Sequence, residues 1–142
     1  MRRLIIGWLM MLGVGLCHGG EVQDGAFTVH YSVFNSAFLS ADVARAYGVN
    51  RAGDRAVINV AVRESVAGGD RAAHAEVSGT HFDLVHRRPL AFREIVETGA
   101  IYYIAEFPFS NEETQSFNLT VQPEGAARSI PIEFNQKFYV DK

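Results

Sequence analysis

Four histidines in the body of the chain are the side chains best suited to metal or acid–base chemistry. None of them stands in an H-x-H or H-E-x-x-H spacing, and structural zinc sites usually recruit cysteine, which does not occur after residue 17. On one regular strand His74 and His81 would point to opposite faces, because they are seven residues apart. The pattern predicts solvent-facing histidines, no metal site and no cofactor. The four residues are His30, His74, His81 and His86.

Catalysis by a side-chain nucleophile lacks its usual sequence signatures. No G-x-S-x-G motif occurs, and the segment 77–80 resembles one only in part. Carboxylate pairs such as Glu94 with Glu97 are common on solvated surfaces, whereas a glycosidase needs two carboxyl groups facing each other across a cleft. The sequence therefore favours a protein that is not an enzyme.

A cluster of aromatic and polar residues is the candidate binding site. It comprises Asn35, Tyr47, Arg51, Tyr102 and Tyr103. Tyr102 and Tyr103 are neighbours in a predicted strand, so one should face the core and the other the surface or another element. Tyrosine is favoured at interfaces, which indicates a binding patch. The alternative is structural, with Tyr47 packed over the sheet and Asn35 holding a turn through side-chain hydrogen bonds.

Strands must position this cluster, because apolar and polar residues alternate along most of the chain after residue 26. Seven short strands without βαβ alternation predict an all-β fold, an immunoglobulin-like two-sheet β-sandwich, with a small closed barrel as the alternative. Pro131 cannot donate to a ladder, so the last strand should lie at an edge or carry a bulge there. The predicted strands span 27–33, 56–64, 73–81, 90–96, 101–107, 116–121 and 130–140.

One short helix interrupts the strands. Ser40 is a suitable N-cap, residues 41–47 are compatible with two helical turns, and Gly48 is a suitable stop. We therefore expect a helix in the connection between the first and second predicted strands.

The first twenty residues have the layout of a secretory signal peptide. Arg2 and Arg3 precede an uncharged apolar run over 4–17, and small residues follow. The run has 14 residues, whereas a membrane span needs about 20, so a membrane anchor is the less favoured alternative. We expect a signal peptide over 1–19, cleaved after Gly19 on the general secretory route, and one domain over 20–142 without a membrane span. Because Leu16 is not small, lipidation of Cys17 is not expected.

Cleavage would change the charge balance. It leaves 11 basic and 16 acidic residues, a net charge of −5, with no cysteine and no tryptophan. The longest basic run is then Arg87–Arg88, which argues against a nucleic-acid partner. Because the mature domain would have no cysteine, it could form no disulfide even in the oxidising compartment to which export would deliver it.

Several strings together resemble the proteobacterial family called domain of unknown function 4426 (DUF4426). The resemblance covers essentially the whole mature chain. It implies an exported, periplasmic, small β domain, and it carries over no activity and no catalytic residue. The strings are VHYSVFN at 29–35, FLS at 38–40, ARAYG at 44–48, LAFRE at 90–94, IYYIA at 101–105, FPFSNEET at 107–114 and FNQKFY at 134–139.

Two hypotheses for the function remain open. The first is a non-catalytic binding or accessory module of the cell envelope, which engages an unidentified envelope protein through a strand edge or the helix side. The alternative is a small-ligand binder or hydrolase with a pocket beside the helix. That pocket would be lined by Tyr47, Asn35 and one of Tyr102 or Tyr103, with Arg51 converging on it.

Overall fold

The computed structural model describes residues 18–141. Residues 1–17 of the predicted signal peptide lie outside the described residues, and its last two positions, His18 and Gly19, begin the first strand. The predicted cleavage site therefore falls inside that strand. No helix among the described residues has the length and apolar character needed to cross a membrane.

Ten strands and one α-helix form a two-sheet sandwich, as predicted. The large sheet has the order β1-β2-β3-β8-β7, with β4 also paired to β3, and the small sheet has the order β10-β9-β5-β6. All pairings are antiparallel. The elements are β1 (His18–Asp24), β2 (Phe27–Asn35), α1 (Ala41–Tyr47), β3 (Arg55–Val66), β4 (Gly69–Ala72), β5 (Ala75–Phe82), β6 (Arg87–Pro89), β7 (Arg93–Glu97), β8 (Ala100–Pro108), β9 (Glu113–Pro123) and β10 (Ile130–Phe138).

The number of strands is higher than the predicted seven, because β1, β4 and β6 carry little apolar alternation of their own. These strands are short or polar and are held by pairing to longer neighbours. The predicted third strand is also wrong at its start, since the chain leaves β4 at Ala72 and enters β5 at Ala75. In β10 the prediction for Pro131 is confirmed, because that strand is an edge of the small sheet.

The main core lies between the two sheets and is rich in aromatic side chains. The ring of Phe117 lies 4.8 Å from that of Phe134 and 5.4 Å from that of Phe107. Tyr31 extends the stack, with its ring 4.9 Å from that of Phe134. It lies over Gly20 of β1, where a Cβ atom would overlap the tyrosine ring. Glycine at this position therefore allows β1 to close the edge of the large sheet.

A second, smaller core lies on the outer face of the large sheet, under α1. The helix begins at the predicted N-cap, where Ser40 Oγ accepts a 3.1 Å hydrogen bond from Val43 N, and it ends at Gly48 with φ 70°. Its buried side chains pack on the outward-facing residues of β3 and β8. As a result β3 is buried on both faces from Ala56 to Val62. The second core comprises Phe34, Leu39, Val43, Ala44, Tyr47, Val49, Val57, Ala61, Tyr102 and Ile104.

Candidate functional site

Two tyrosines from the predicted cluster meet where α1 covers the large sheet. Tyr47 ends the helix and Tyr102 lies on β8, and their side chains are 8% and 6% exposed. Neither hydroxyl makes a hydrogen bond within residues 18–141, and neither oxygen is among the sealed polar atoms that lack a partner. Each ring is therefore buried, while its hydroxyl reaches the surface as an available donor and acceptor.

The carboxylate of Glu97, at the end of β7, sets the electrostatics around these hydroxyls. Burial, followed by Glu97 and Tyr102, raises the pKa of Tyr47 to about 12. Burial and Glu97 also raise the pKa of Tyr102, and Arg63 acts in the opposite direction. Both phenols are consequently neutral near pH 7. Two O–H donors and one carboxylate acceptor therefore lie on the same face of the large sheet.

Asn59 adds a buried polar group to the same face. It lies on β3 between Val57 and Ala61, directly opposite Ile104 on β8, and it is only 5% exposed. Its Oδ1 atom is sealed from solvent and has no hydrogen-bond partner among the described residues. Native proteins leave few such groups unpaired. We call Tyr47, Asn59, Glu97 and Tyr102 together the helix-side patch.

Asn35 and Arg51, also from the predicted cluster, use their polar atoms to hold the connection around α1. Asn35 Nδ2 donates to Gly53 O at 2.7 Å, and Asn35 Oδ1 accepts from Ala37 N at 2.9 Å. Arg51 Nη2 donates to Ala37 O at 3.2 Å. The expectation that Asn35 holds a turn is confirmed. These contacts lie at the end of β2, apart from the two tyrosine hydroxyls.

Tyr103, the fifth predicted residue, faces the other way, into the inter-sheet core. Its hydroxyl accepts a 2.8 Å hydrogen bond from Ala75 N and donates a 2.8 Å hydrogen bond to Glu94 Oε2. Burial raises the pKa of Tyr103 to about 12, and the hydrogen bond from Ala75 acts against this. The hydrogen bond with His74, and then that with Tyr103, lowers the pKa of Glu94. Adjacent tyrosines of β8 thus serve the two different cores, as strand alternation predicts.

An arginine that the sequence patterns did not single out attaches α1 to the sheet. Arg93 Nη2 donates to Tyr47 O at 2.8 Å and to Gly48 O at 2.9 Å, and it lies 3.0 Å from Glu106 Oε1. The guanidinium thus satisfies carbonyl groups at the C-terminal end of the helix, where a positive charge is stabilising. The sequence offered one indication of this role, a basic residue on the helix-facing side of β7. It did not indicate the partner, because Tyr47 lies 46 residues away in the chain.

One of the histidines corrects the expectation that all of them face solvent. His81 is 7% exposed, its ring lies 5.0 Å from that of Phe107, and its Nδ1 lies 2.7 Å from Gln115 Oε1. Gln115 Nε2 donates to Glu113, so Gln115 Oε1 is an acceptor and the proton lies on His81 Nδ1. Over the described part of the chain, no three histidine or acidic residues converge in a way that could hold a metal ion.

Two shallow grooves flank the turn between β9 and β10, at the other end of the sandwich from Asn35. One, of about 400 Å³, runs beside His74 and Glu76, and the other, of about 380 Å³, lies beside Asp24 and Arg128. Both are open to solvent, and neither is lined by a residue of the predicted cluster. They share Gly125 and Ala126 of the turn.

Comparison with known proteins gives one family match and two kinds of structural neighbour. The sequence profile described as "Domain of unknown function (DUF4426)" matches residues 21–141. A crystal structure of a DUF4426 family protein from Pseudomonas aeruginosa PAO1 is 38% identical, with a TM-score of 0.74, over 87% of this chain and 97% of that one. No curated protein sequence matches the chain significantly.

Two further solved structures of similar fold are of FetP from uropathogenic Escherichia coli strain F11. A copper-bound variant of FetP has a TM-score of 0.60 at 9% identity, over 88% of this chain and 97% of that one. FetP expressed recombinantly in the periplasm has a TM-score of 0.59 at 8% identity, over 89% of this chain and 98% of that one. At these identities the likeness concerns the fold alone.

Proposed function

The chain belongs to the DUF4426 family, and we propose that it is a non-catalytic binding module of the bacterial cell envelope, exported to the periplasm. Its binding face is the helix-side patch. Its occupant is a polypeptide segment that offers hydrogen-bond acceptors to Tyr47 and Tyr102 and a donor to Glu97. Export proceeds by the general secretory route, with a signal peptide over 1–19 and no lipid on Cys17.

The observation that carries this proposal is the pair of tyrosine hydroxyls without a partner. A buried tyrosine hydroxyl usually finds a hydrogen-bond partner, and one that reaches the surface can find it in water or in another molecule. Tyr47 and Tyr102 do not find one within residues 18–141, although both rings are fixed in the second core. Fixed aromatic groups with available hydroxyls suit recognition because little side-chain entropy is lost on binding.

Asn59 is an unsatisfied polar group buried beneath the same face. A sealed carbonyl oxygen without a partner costs about 1–3 kcal/mol relative to a satisfied one. Replacement by an aliphatic residue would remove that cost, since Val57 and Ala61 beside it are already apolar. Retention of an amide there is consistent with a group that an ordered, buried water completes.

The arrangement of the titratable side chains supports a non-catalytic role. Glu94 lies between His74 and Tyr103, and Glu106 between Arg55 and Arg93, so each carboxylate links strands or the helix. General acid–base catalysis needs such groups to converge on a site where substrate can reach them. These groups instead take part in the bonds that hold the domain together.

The envelope location is supported by the predicted signal peptide and by the construction of the domain. The second core and the inter-sheet core are built without cysteine, so the fold does not depend on the redox state of its compartment. A FetP structure of similar fold comes from protein expressed in the periplasm.

Removal of the two hydroxyls tests the binding face. The full chain, expressed with its own N-terminal segment, is compared with Tyr47→Phe/Tyr102→Phe in crosslinking capture from an envelope extract. Capture of a defined partner is expected to weaken by about tenfold, since each lost hydrogen bond contributes about 0.5–1.5 kcal/mol.

Tyr139→Phe is the matched control, because Tyr139 is 52% exposed and remote from the second core. It should capture the partner as the wild type does. An identical set of captured proteins from all three chains, or abundant bystanders alone, would exclude the helix-side patch as the binding face.

A further inference from the structure

The hairpin between β5 and β6 ends in two aliphatic side chains that face solvent. Leu84 and Val85 are each 75% exposed. The turn has a defined shape, because Asp83 Oδ1 accepts hydrogen bonds from Val85 N at 3.0 Å and from His86 N at 2.7 Å. We call residues 83–86 the hairpin tip.

The backbone of the hairpin tip is strained as well as exposed. Leu84 has φ 81°, in the left-handed region that turns normally assign to glycine or asparagine. Glycine at this position would remove the strain, and a polar residue would remove the exposed apolar surface. Strained backbone clusters at functional sites, and here it falls at the turn that exposes two aliphatic groups.

Basic side chains end the tip and continue into β6. His86, Arg87 and Arg88 come after Val85, in a chain whose overall formal charge is −3. The guanidinium of Arg87 lies 5.0 Å from the centre of the Phe82 ring and donates to Thr80 Oγ1 at 3.2 Å. Arg88 forms no ion pair or side-chain hydrogen bond within residues 18–141. The tip thus combines two aliphatic groups and the carboxylate of Asp83, which the turn backbone already engages, with two arginines beside them.

The same end of the sandwich carries most of the exposed apolar surface. The strands β5 and β10 both end beside the start of β9, and β2 ends beside the start of β3. Five large hydrophobic side chains are exposed in the described residues, and four of them lie at this end. The fifth, Val96, lies near the end of β7 at the opposite end of the sandwich. The four are Phe38, Leu84, Val85 and Tyr139.

We propose that the hairpin tip inserts Leu84 and Val85 into the surface of an anionic phospholipid bilayer, with Arg88 and His86 at the headgroups. A lipid surface fits this tip better than a protein does. Two projecting side chains cannot cover the roughly 800 Å² per partner of a standard protein interface. A bilayer accepts isolated aliphatic groups at its boundary, and anionic lipid attracts the basic residues beside them.

Vesicle sedimentation tests this docking. The full chain, expressed with its own N-terminal segment, is mixed with vesicles of phosphatidylethanolamine and phosphatidylglycerol, or with phosphatidylcholine vesicles. Wild type should bind the anionic vesicles, and Leu84→Asn/Val85→Ser should bind them at least about tenfold more weakly. Asparagine tolerates the left-handed backbone of position 84, so the turn is preserved.

Two further variants separate the contributions. Val96→Ser removes an exposed aliphatic group outside the tip and should bind as the wild type does. Arg88→Gln should weaken binding to the anionic vesicles alone, and added salt should reduce the difference. All chains are expressed with the same N-terminal segment and purified from the same compartment after the same processing, so the comparison isolates the tip. Unchanged thermal unfolding shows that each variant is folded.

Equal vesicle binding by the wild type and the tip variant would overturn the proposal, as would equal binding to anionic and neutral vesicles. Loss of a captured protein in the tip variant, with vesicle binding unchanged, would overturn it in favour of a protein partner. The Tyr47→Phe/Tyr102→Phe chain should bind vesicles normally, so failure of this docking and failure of the helix-side patch give different results.

Discussion

The hydroxyl of Tyr103 donates a 2.8 Å hydrogen bond to Glu94 Oε2, between residues that are direct partners in the pairing of β7 with β8. The same hydroxyl accepts from Ala75 N in the small sheet, also at 2.8 Å. Tyr103 therefore joins the two sheets. Glu94 also lies 3.1 Å from His74 Nδ1, which extends the link to the connection between β4 and β5.

Tyr103→Phe should destabilise the domain by about 1–3 kcal/mol, because Ala75 N and Glu94 each lose a partner while the ring is kept. Denaturant unfolding near pH 7 measures the change. Tyr139→Phe is the matched control and should leave the free energy of unfolding unchanged, since Tyr139 is half-exposed. Equal stability of the two variants would show that the inter-sheet link contributes nothing.

The stability of the domain should fall with acidification. Hydrogen bonds from Arg128 lower the pKa of Asp24, those from the backbone of His86 and Val85 lower that of Asp83, and those from His74 and Tyr103 lower that of Glu94. A carboxyl whose pKa is lower in the folded state stabilises it above the unfolded pKa, and this contribution is lost as pH falls through the folded pKa.

Denaturant unfolding between neutral pH and about pH 3 measures this acid sensitivity. The unfolded reference values are 3.8 for aspartate and 4.5 for glutamate. Glu94→Gln keeps an acceptor for Tyr103 but cannot titrate, so it should reduce the acid loss. If the free energy of unfolding of the wild type is constant over this range, these three carboxylates do not stabilise the folded state.

Alkaline pH should destabilise the domain through Tyr47 and Tyr103. Burial raises the pKa of each to about 12 from a reference value of 10.0. The folded state holds the neutral phenols, so their stabilising contribution is complete below pH 10 and is lost as pH rises from 10 towards 12. Tyrosinate absorbance in the folded protein should therefore show a late component, an ionisation step between pH 10 and about pH 12.

Tyr47→Phe/Tyr103→Phe should reduce that late component to the contribution of Tyr102, whose pKa burial also raises. Unfolding the wild type in denaturant should shift the late component to about pH 10. A single transition near pH 10 in the folded wild type would show that the rings are more open to water than their positions in the two cores indicate.

Asn35→Ala should also destabilise the domain, by about 1–3 kcal/mol, because Gly53 O and Ala37 N lose the partner that holds the connection around α1. Thermal or denaturant unfolding measures the loss. Asn50→Ala is the control, since Asn50 is exposed and its side chain makes no hydrogen bond in the described part of the chain. Equal effects of the two changes would refute a structural role for Asn35.

Much of this architecture was predictable because it depends on short-range patterns. Alternation of apolar and polar residues located the longer strands, and capping chemistry located α1 between Ser40 and Gly48. The missing donor of Pro131 placed β10 at an edge. Strand parity also separated Tyr102 from Tyr103, although it could not say which core each would join.

The remaining features depend on which segments pair across the fold. Strands β1, β4 and β6 exist because neighbours supply their hydrogen bonds, and their own sequences carry no apolar period. His81 is buried because the registers of β5 and β9 place it beside Phe107 and Gln115. The apolar pattern of one sequence does not reveal which residues of β5 and β9 will pair.

The candidate sites show the same division. Residue types alone identified Tyr47 and Tyr102 as binding candidates, but Asn59 and Glu97 joined them only through the placement of α1 on the large sheet. The sequence shows that the hairpin tip contains two adjacent apolar residues, Leu84 and Val85. Only the geometry of the turn shows that both side chains are exposed. Sequence by itself predicted the signal peptide and determined the period-two strands and the helix caps, because each depends on residues close together in the chain. Burial and partners were decided by tertiary structure, because they depend on residues far apart in it.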